Sequence, residues 1–186
     1  MKTVMMLSLL GAFALQDKVD LKVGDAAPVF EAKDDAGKDW KSADHVGKKI
    51  LVVYFYPASF TGGCTKQACA YSEHMKSFTD KDVEIIGVSG DSVANQEAFK
   101  KFHKLNFTLL ADEKGDVAKA FGVPAAAGEK EVKQAIEGKD EKFIRGVTEQ
   151  RWTFVIDKAG KIAYKNMKVN AAEDSKAVLE AIQKLK

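Results

Sequence analysis

Cysteine is scarce in this chain, and the scarcity narrows its chemistry. Two cysteines in 186 residues cannot supply a disulfide scaffold for a domain of this size. They are Cys64 and Cys69, in Cys-Thr-Lys-Gln-Ala-Cys, which is neither the Cys-x-x-Cys of thioredoxin-like dithiols nor a common zinc spacing. Histidine is equally sparse. His45, His74 and His103 lie far apart on polar stretches and read as surface residues, so neither a metal nor a cofactor is expected. Excess charge is lacking too: 29 Lys and Arg against 27 Asp and Glu leave a net charge of +2. That balance gives no electrostatic argument for nucleic acid or an anionic membrane as a partner. Internal repeats and linkers are missing, which leaves one globular domain with length enough to bury a core.

Long apolar runs are absent as well, and the nearest approach is at the amino terminus. Residues 4–15 are almost wholly apolar behind a single Lys2, a run too short to span a membrane. Ala12-Phe13-Ala14 has the small-x-small pattern of a signal-peptidase site, and Gln16-Asp17-Lys18 restores polarity at once. These features predict a secretory leader over residues 1–14, a short lead at 15–22 and a domain over 23–186. The mature chain would be soluble outside the cytoplasm, free of the membrane once the leader is cleaved. A buried first strand or helix is the other reading of the same run, and the chain would then be cytoplasmic rather than periplasmic or secreted.

What is present is an alternation of strand and helix signals. Residues 29–40 read as a short hairpin around Asp34-Asp35-Ala36-Gly37. Residues 50–56 are apolar without a break and suit a central strand buried on both faces, stopped by Pro57. Residues 64–78 carry a helical stripe of Ala68, Tyr71, Met75 and Phe78. Strands at 83–89 and 107–110 alternate with helices after Ser92 and at 116–121, and residues 152–164 form a second hairpin. Residues 171–185 form a last amphipathic helix with Ala177, Leu179, Ile182 and Leu185 inward. Residues 124–142, rich in Ala, Gly, Glu and Lys, read as a solvated surface insertion, partly helical around residues 132–136. The sum is an α/β, thioredoxin-like fold: a central mixed sheet flanked by helices, with an amino-terminal hairpin.

The chemistry concentrates at one strand-to-helix junction. In open α/β sheets, functional groups gather beyond the carboxyl ends of strands, and Cys64 lies there, behind the pair Gly62-Gly63. At a helix start the dipole and unshared N–H groups favour an anionic sulfur.

The pattern Pro57-x-x-x-Thr61-x-x-Cys64 resembles the active-site motif of the peroxiredoxins, and Cys69 five residues on resembles their PrxQ (bacterioferritin comigratory protein) subgroup. The similarity runs from about Val23 to the carboxyl terminus, apart from the insertion. Arg151, just before Trp152-Thr153-Phe154-Val155-Ile156, resembles the arginine that precedes a late strand in that family. The resemblance implies a peroxidatic Cys64 that attacks a hydroperoxide and becomes a sulfenic acid. It implies a resolving Cys69, an intramolecular disulfide, a thioredoxin or thioredoxin-like reductant, and a monomer. Thr61 would hydrogen-bond the thiolate and the peroxide, Arg151 would hold a planar guanidinium against both, and Pro57 would wall the pocket. Two departures stand out: glycine at position 62, where the subgroup commonly has proline, and the longer segment at 124–142.

Two magnitudes sharpen that expectation. A free cysteine is only a few per cent thiolate at neutral pH, so near-complete ionisation gains about thirtyfold, and the accompanying fall in nucleophilicity takes back about tenfold. Most acceleration must then come from charge stabilisation on the breaking O–O bond. Five residues of ideal helix place two Cα atoms roughly 8–9 Å apart, whereas a disulfide needs less than about 7 Å. A bond between Cys64 and Cys69 therefore requires the helix between them to unwind. A general thiol–disulfide oxidoreductase and a redox sensor or holdase remain as alternatives, and catalytic turnover of peroxide separates them from a peroxidase.

Overall fold

The computed structural model describes residues 19–185. The leader expected over residues 1–14 lies outside the described residues. Among the described residues no helix is long and apolar enough to cross a membrane.

The unbroken apolar run becomes β3 (Ile50–Phe55), the strand on which the rest is organised. It pairs in parallel with β4 (Val83–Ser89) and antiparallel with β8 (Thr153–Ile156). With neighbours on both edges and layers on both faces, Leu51 to Phe55 are fully buried, hence no polar residue interrupts the run. Its side chains alternate between the two faces. Val52 and Tyr54 join a core with Ala68, Tyr71, Phe78, Phe99, Val178 and Ile182, while Leu51, Val53 and Phe55 pack with Phe30, Trp40, Phe121 and Phe154.

Beyond β4 lies β5 (Thr108–Ala111), parallel to it, and then the expected hairpin of β1 (Glu31–Asp34) and β2 (Asp39–Lys41). On the other side, β9 (Ile162–Asn166) closes the sheet, giving the order β2-β1-β5-β4-β3-β8-β9. One face is covered by α1 (Gly62–Glu73), α2 (Met75–Thr79), α3 (Val93–His103) and α5 (Asp174–Gln183). The short α4 (Asp116–Ala120) packs on the other face. A mixed, helix-flanked sheet is what the alternation of signals predicts.

Three details differ from the expectation. The helix over residues 64–78 is broken at His74, whose ring nitrogen lies 2.9 Å from Ser175 Oγ, although its stripe of Ala68, Tyr71 and Phe78 stays buried across the break. In α5 the buried ridge is Asp174, Val178 and Ile182, spaced by four, and Ala177, Leu179 and Leu185 flank it half-buried. The stretch at 124–142 is strand, not helix. It forms a ribbon of β6 (Ala125–Ile136) and β7 (Lys139–Glu149), turning at Glu137 and Gly138, both with positive φ (50° and 79°). Those angles are those of a tight two-residue hairpin turn, which glycine accommodates without strain. The ribbon also runs past Lys142: Phe143, Arg145, Val147 and Glu149 alternate into the protein and are buried.

Glu149 is 1% exposed, and among the described residues neither carboxyl oxygen makes a hydrogen bond of good geometry. Burial, and then the charge and close approach of the Asp112 carboxyl and the charge of Asp91, push it well above the usual carboxylate range. A carboxyl raised on folding stabilises fully below its unfolded value and loses that contribution as pH rises through its folded value. Glu149→Gln, neutral throughout, should therefore be more stable than the parent by about 1–3 kcal/mol in urea unfolding at about pH 8, and nearly equal to it at about pH 4. A parent no less stable than the variant at the higher pH would refute this account of Glu149.

Candidate active site

The chain leaves β3 through a loop that is held by its own side chains. Tyr56 N–H donates to Val88 O at 3.0 Å, and half-buried Pro57 follows and ends the strand. Asp91, 1% exposed, accepts the Ser59 backbone N–H at 2.7 Å and the Ser89 hydroxyl at 2.8 Å on the same oxygen. Phe60 then takes a φ of 62°, a left-handed conformation that costs a bulky residue energy. Its ring is held by Phe143 of the β6–β7 ribbon, with centroids 4.1 Å apart, and by Phe99 at 5.2 Å. Packing on three sides thus supports a strained turn that aims the next residues at the helix start.

Thr61 is the N-cap of α1, but its side chain makes no capping bond. The expectation that its hydroxyl bonds the sulfur is not met: the hydrogen goes to Ala58 O at 2.9 Å, which leaves the oxygen lone pairs as acceptors. The first intrahelical bond runs from Thr65 N–H to Thr61 O at 2.9 Å. The N–H groups of Gly62, Gly63 and Cys64 precede that bond, and helix geometry gives them no intrahelical acceptor. Gly62 and Gly63 are exposed, whereas Cys64 is 1% exposed.

Arg151 reaches this turn from the segment between β7 and β8. Its Nη2 donates to Cys64 Sγ at 3.1 Å, and its Nη1 donates to Gln67 Oε1. A Cβ on Gly63 would lie 3.4 Å from Nη2, about van der Waals contact, which shows how closely the guanidinium lies over the helix start. Gln67 Nε2 donates in turn to Asp174 Oδ2 at 2.7 Å, which also accepts Tyr71 at 2.7 Å and Thr153 at 2.8 Å. Burial raises the Asp174 carboxyl above its ordinary value, against the lowering effect of those three bonds.

Cys69 sits on the same unbroken helix as Cys64, half-buried, and both thiols are free. Burial, and then the Glu73 carboxylate, push the Cys69 thiol above its ordinary value. In the folded helix it is thus a poor nucleophile at neutral pH. Among the described residues no cluster of three or more His, Cys, Asp or Glu groups is placed to hold a metal ion.

The model of the AhpC/TSA family matches residues 23–165. The chain belongs to the AhpC/TSA family. Among its relatives is the chloroplastic peroxiredoxin Q of Oryza sativa subsp. japonica, 40% identical over 141 residues, which are 76% of this chain and 57% of the rice protein. The chain thus spans little more than half the length of that plant relative. Peroxiredoxin Bcp of Bacillus subtilis is 39% identical over 166 residues, 89% of this chain and 96% of its own. The solved structure of the Xanthomonas campestris bacterioferritin comigratory protein, described for alkyl peroxide reduction, superposes with a TM-score of 0.69 at 27% identity, covering 88% of this chain and 96% of that one. Relatives named peroxiredoxin Q and Bcp place the chain beside the PrxQ proteins within this family.

The structure brings Cys64 and Arg151 into contact, sets Thr61 at the rim, leaves Pro57 at the loop's start, and keeps Cys69 further along the helix. Sequence reasoning missed Gln67, Asp174, Asp91 and Phe60. Gln67 could have been found, since three residues past Cys64 is the same helical face. Asp174 had a weaker signal, an acid in register with Val178 and Ile182. For Phe60 the partner Phe143 lies 83 positions away, and nothing local announces it. Because Phe143 is 5% exposed and stacked on that strained residue, Phe143→Ala should cost about 3–5 kcal/mol. The same variant should speed amide exchange through residues 58–62, and unchanged exchange there would disprove the clamp.

Proposed function

We propose that this chain is a thiol peroxidase that reduces hydrogen peroxide and organic hydroperoxides. The observation that carries the reading is the Arg151 guanidinium 3.1 Å from Cys64 Sγ, beside the open N–H groups of the first helical turn. A cation and several donors converge where negative charge would leave a peroxide, which is what O–O cleavage needs. The Cys64 thiolate attacks the terminal oxygen, the O–O bond breaks, and the departing hydroxide or alkoxide takes up from solvent the proton that the thiol released on ionising, leaving as water or an alcohol. Cys64 is left as a sulfenic acid. Thr61, its own hydrogen engaged at Ala58 O, accepts the O–H of the incoming hydroperoxide. Pro57, which has no N–H, walls the site beside it. The sulfur is almost covered, so only the narrow –O–O–H end of a substrate needs to reach it.

Cys69 resolves the sulfenic acid. The residues between the cysteines unwind, the Cys69 thiolate attacks the Cys64 sulfur, water leaves, and an intramolecular disulfide forms. A thioredoxin-like dithiol protein then returns two electrons and two protons by thiol–disulfide exchange. Both cysteines lie on one helix, so the cycle needs no second subunit, and the working unit is a monomer. The leader-like residues 1–14 support export of the mature chain.

Peroxide consumption tests the reading, with hydrogen peroxide and an alkyl hydroperoxide side by side and a dithiol reductant in excess. Continued turnover is expected for the parent, none for Cys64→Ser. Arg151→Ala is expected to lose about a hundredfold or more in peroxide rate, and far less in alkylation of Cys64 by iodoacetamide. Consumption of one equivalent and no more would assign the cysteines to a sensor instead.

A further inference from the structure

Gln67 is fully buried one turn beyond Cys64, with an amide gripped at both ends. A side-chain amide can turn over, exchanging oxygen and nitrogen, with little change of shape. Here the two ends forbid it. The Arg151 guanidinium can only donate, so it takes the oxygen, and a carboxylate can only accept, so Asp174 takes the NH2 group. Both ends thus agree on the polarity of the amide, and Asp174 is the end that fixes where it sits. Asp174 is itself 2% exposed and fixed by Tyr71 and Thr153, which donate to the same oxygen as Gln67 at 2.7 and 2.8 Å. One carboxylate oxygen thus ties together α1 through Gln67 and Tyr71, β8 through Thr153, and α5, to which it belongs.

We propose that Asp174 is a positioning residue for peroxide reduction, acting through Gln67 to hold the Arg151 guanidinium against Cys64 Sγ. It does not touch the sulfur. Its effect travels along a chain of alternating acceptors and donors: carboxylate, amide, guanidinium, sulfur. If Gln67 lost its anchor, Arg151 would still select the amide oxygen, but that oxygen would no longer be held in place, and the guanidinium would drift with it from Cys64. The last helix of the chain would thus be read at the first turn of α1, well over a hundred residues earlier in sequence. The same link ties positioning to resolution, because unwinding of α1 takes Gln67 from Arg151 as it takes Cys64. The inference rests on the peroxidase reading, and the experiment keeps the two separable.

All proteins are studied as Cys69→Ser, so that only Cys64 reacts. The rate constant for oxidation by hydrogen peroxide is followed by tryptophan fluorescence, Trp152 being next to Arg151, and iodoacetamide alkylation is measured in parallel. Asp174→Leu, which removes the acceptor, and Gln67→Met should each slow the peroxide step by about ten- to a hundredfold, as a misplacement of about 1 Å can, with alkylation changed much less. Because both act on one link, the double variant should be no slower than Gln67→Met alone. Losses that multiply in the double variant, equal slowing of both reactions, or a normal peroxide rate in Gln67→Met would each overturn the proposal. Should Asp174→Leu not fold, Thr153→Val strips one donor from the same oxygen and keeps the carboxylate. It must then slow the peroxide step more than alkylation, and equal rates would overturn the proposal. A parent that peroxide does not oxidise defeats the peroxidase reading itself.

Discussion

A sulfur held against a guanidinium on the first turn of a helix cannot also bond to a sulfur five residues further along that helix. Cys64 meets this constraint directly. Its contact with Arg151 at 3.1 Å depends on α1 starting at Gly62, and Cys69 lies on the same unbroken helix. Geometry that serves attack on a peroxide therefore excludes the disulfide, and geometry that serves the disulfide dismantles the site of attack. The proposed cycle needs both states of one short segment, separated by a small free energy. Gly62-Gly63 at the helix start lowers the cost of leaving the helix, since glycine is a poor helix residue.

Much of the surrounding structure can be understood as holding the first of those states. Asp91 pins the Ser59 backbone, Phe99 and Phe143 pin Phe60 at positive φ, and Asp174 pins Gln67 and Tyr71. These supports come from the loop after β4, α3, the β6–β7 ribbon and α5, so distant parts of the chain converge on a few residues. Folded α1 also keeps Cys69 half-buried, with its thiol raised above its ordinary value. In the proposed cycle, unwinding would remove that burial, so the Cys69 thiol would become more acidic when it is needed.

Some of this was legible in the residues and some was not. The apolar run of β3 and the alternating signals of β4 and β8 announce themselves because local composition and burial coincide there. Cys64 was legible because a cysteine behind two glycines at a strand end marks a helix start, whereas Arg151 stood out only through its resemblance to the family's arginine before a late strand. The ribbon was not. Its Ala, Gly, Glu and Lys composition has weak strand propensity, and its strands are secured by Phe143 and Val147 packing far from their neighbours in sequence. The inward face of α5 was misjudged because an acid, Asp174, occupies the ridge where pattern reading expects an apolar side chain. Its burial makes sense only with Gln67, Tyr71 and Thr153 in place.

The most direct test of the central claim is hydrogen exchange across residues 61–71, compared between the reduced protein and its peroxide-oxidised form. The account predicts strong protection of the α1 amides in the reduced state and its loss in the disulfide state, with the central strand β3 protected in both. Equal protection of residues 61–71 in the two states, with the disulfide shown to be formed, would contradict it.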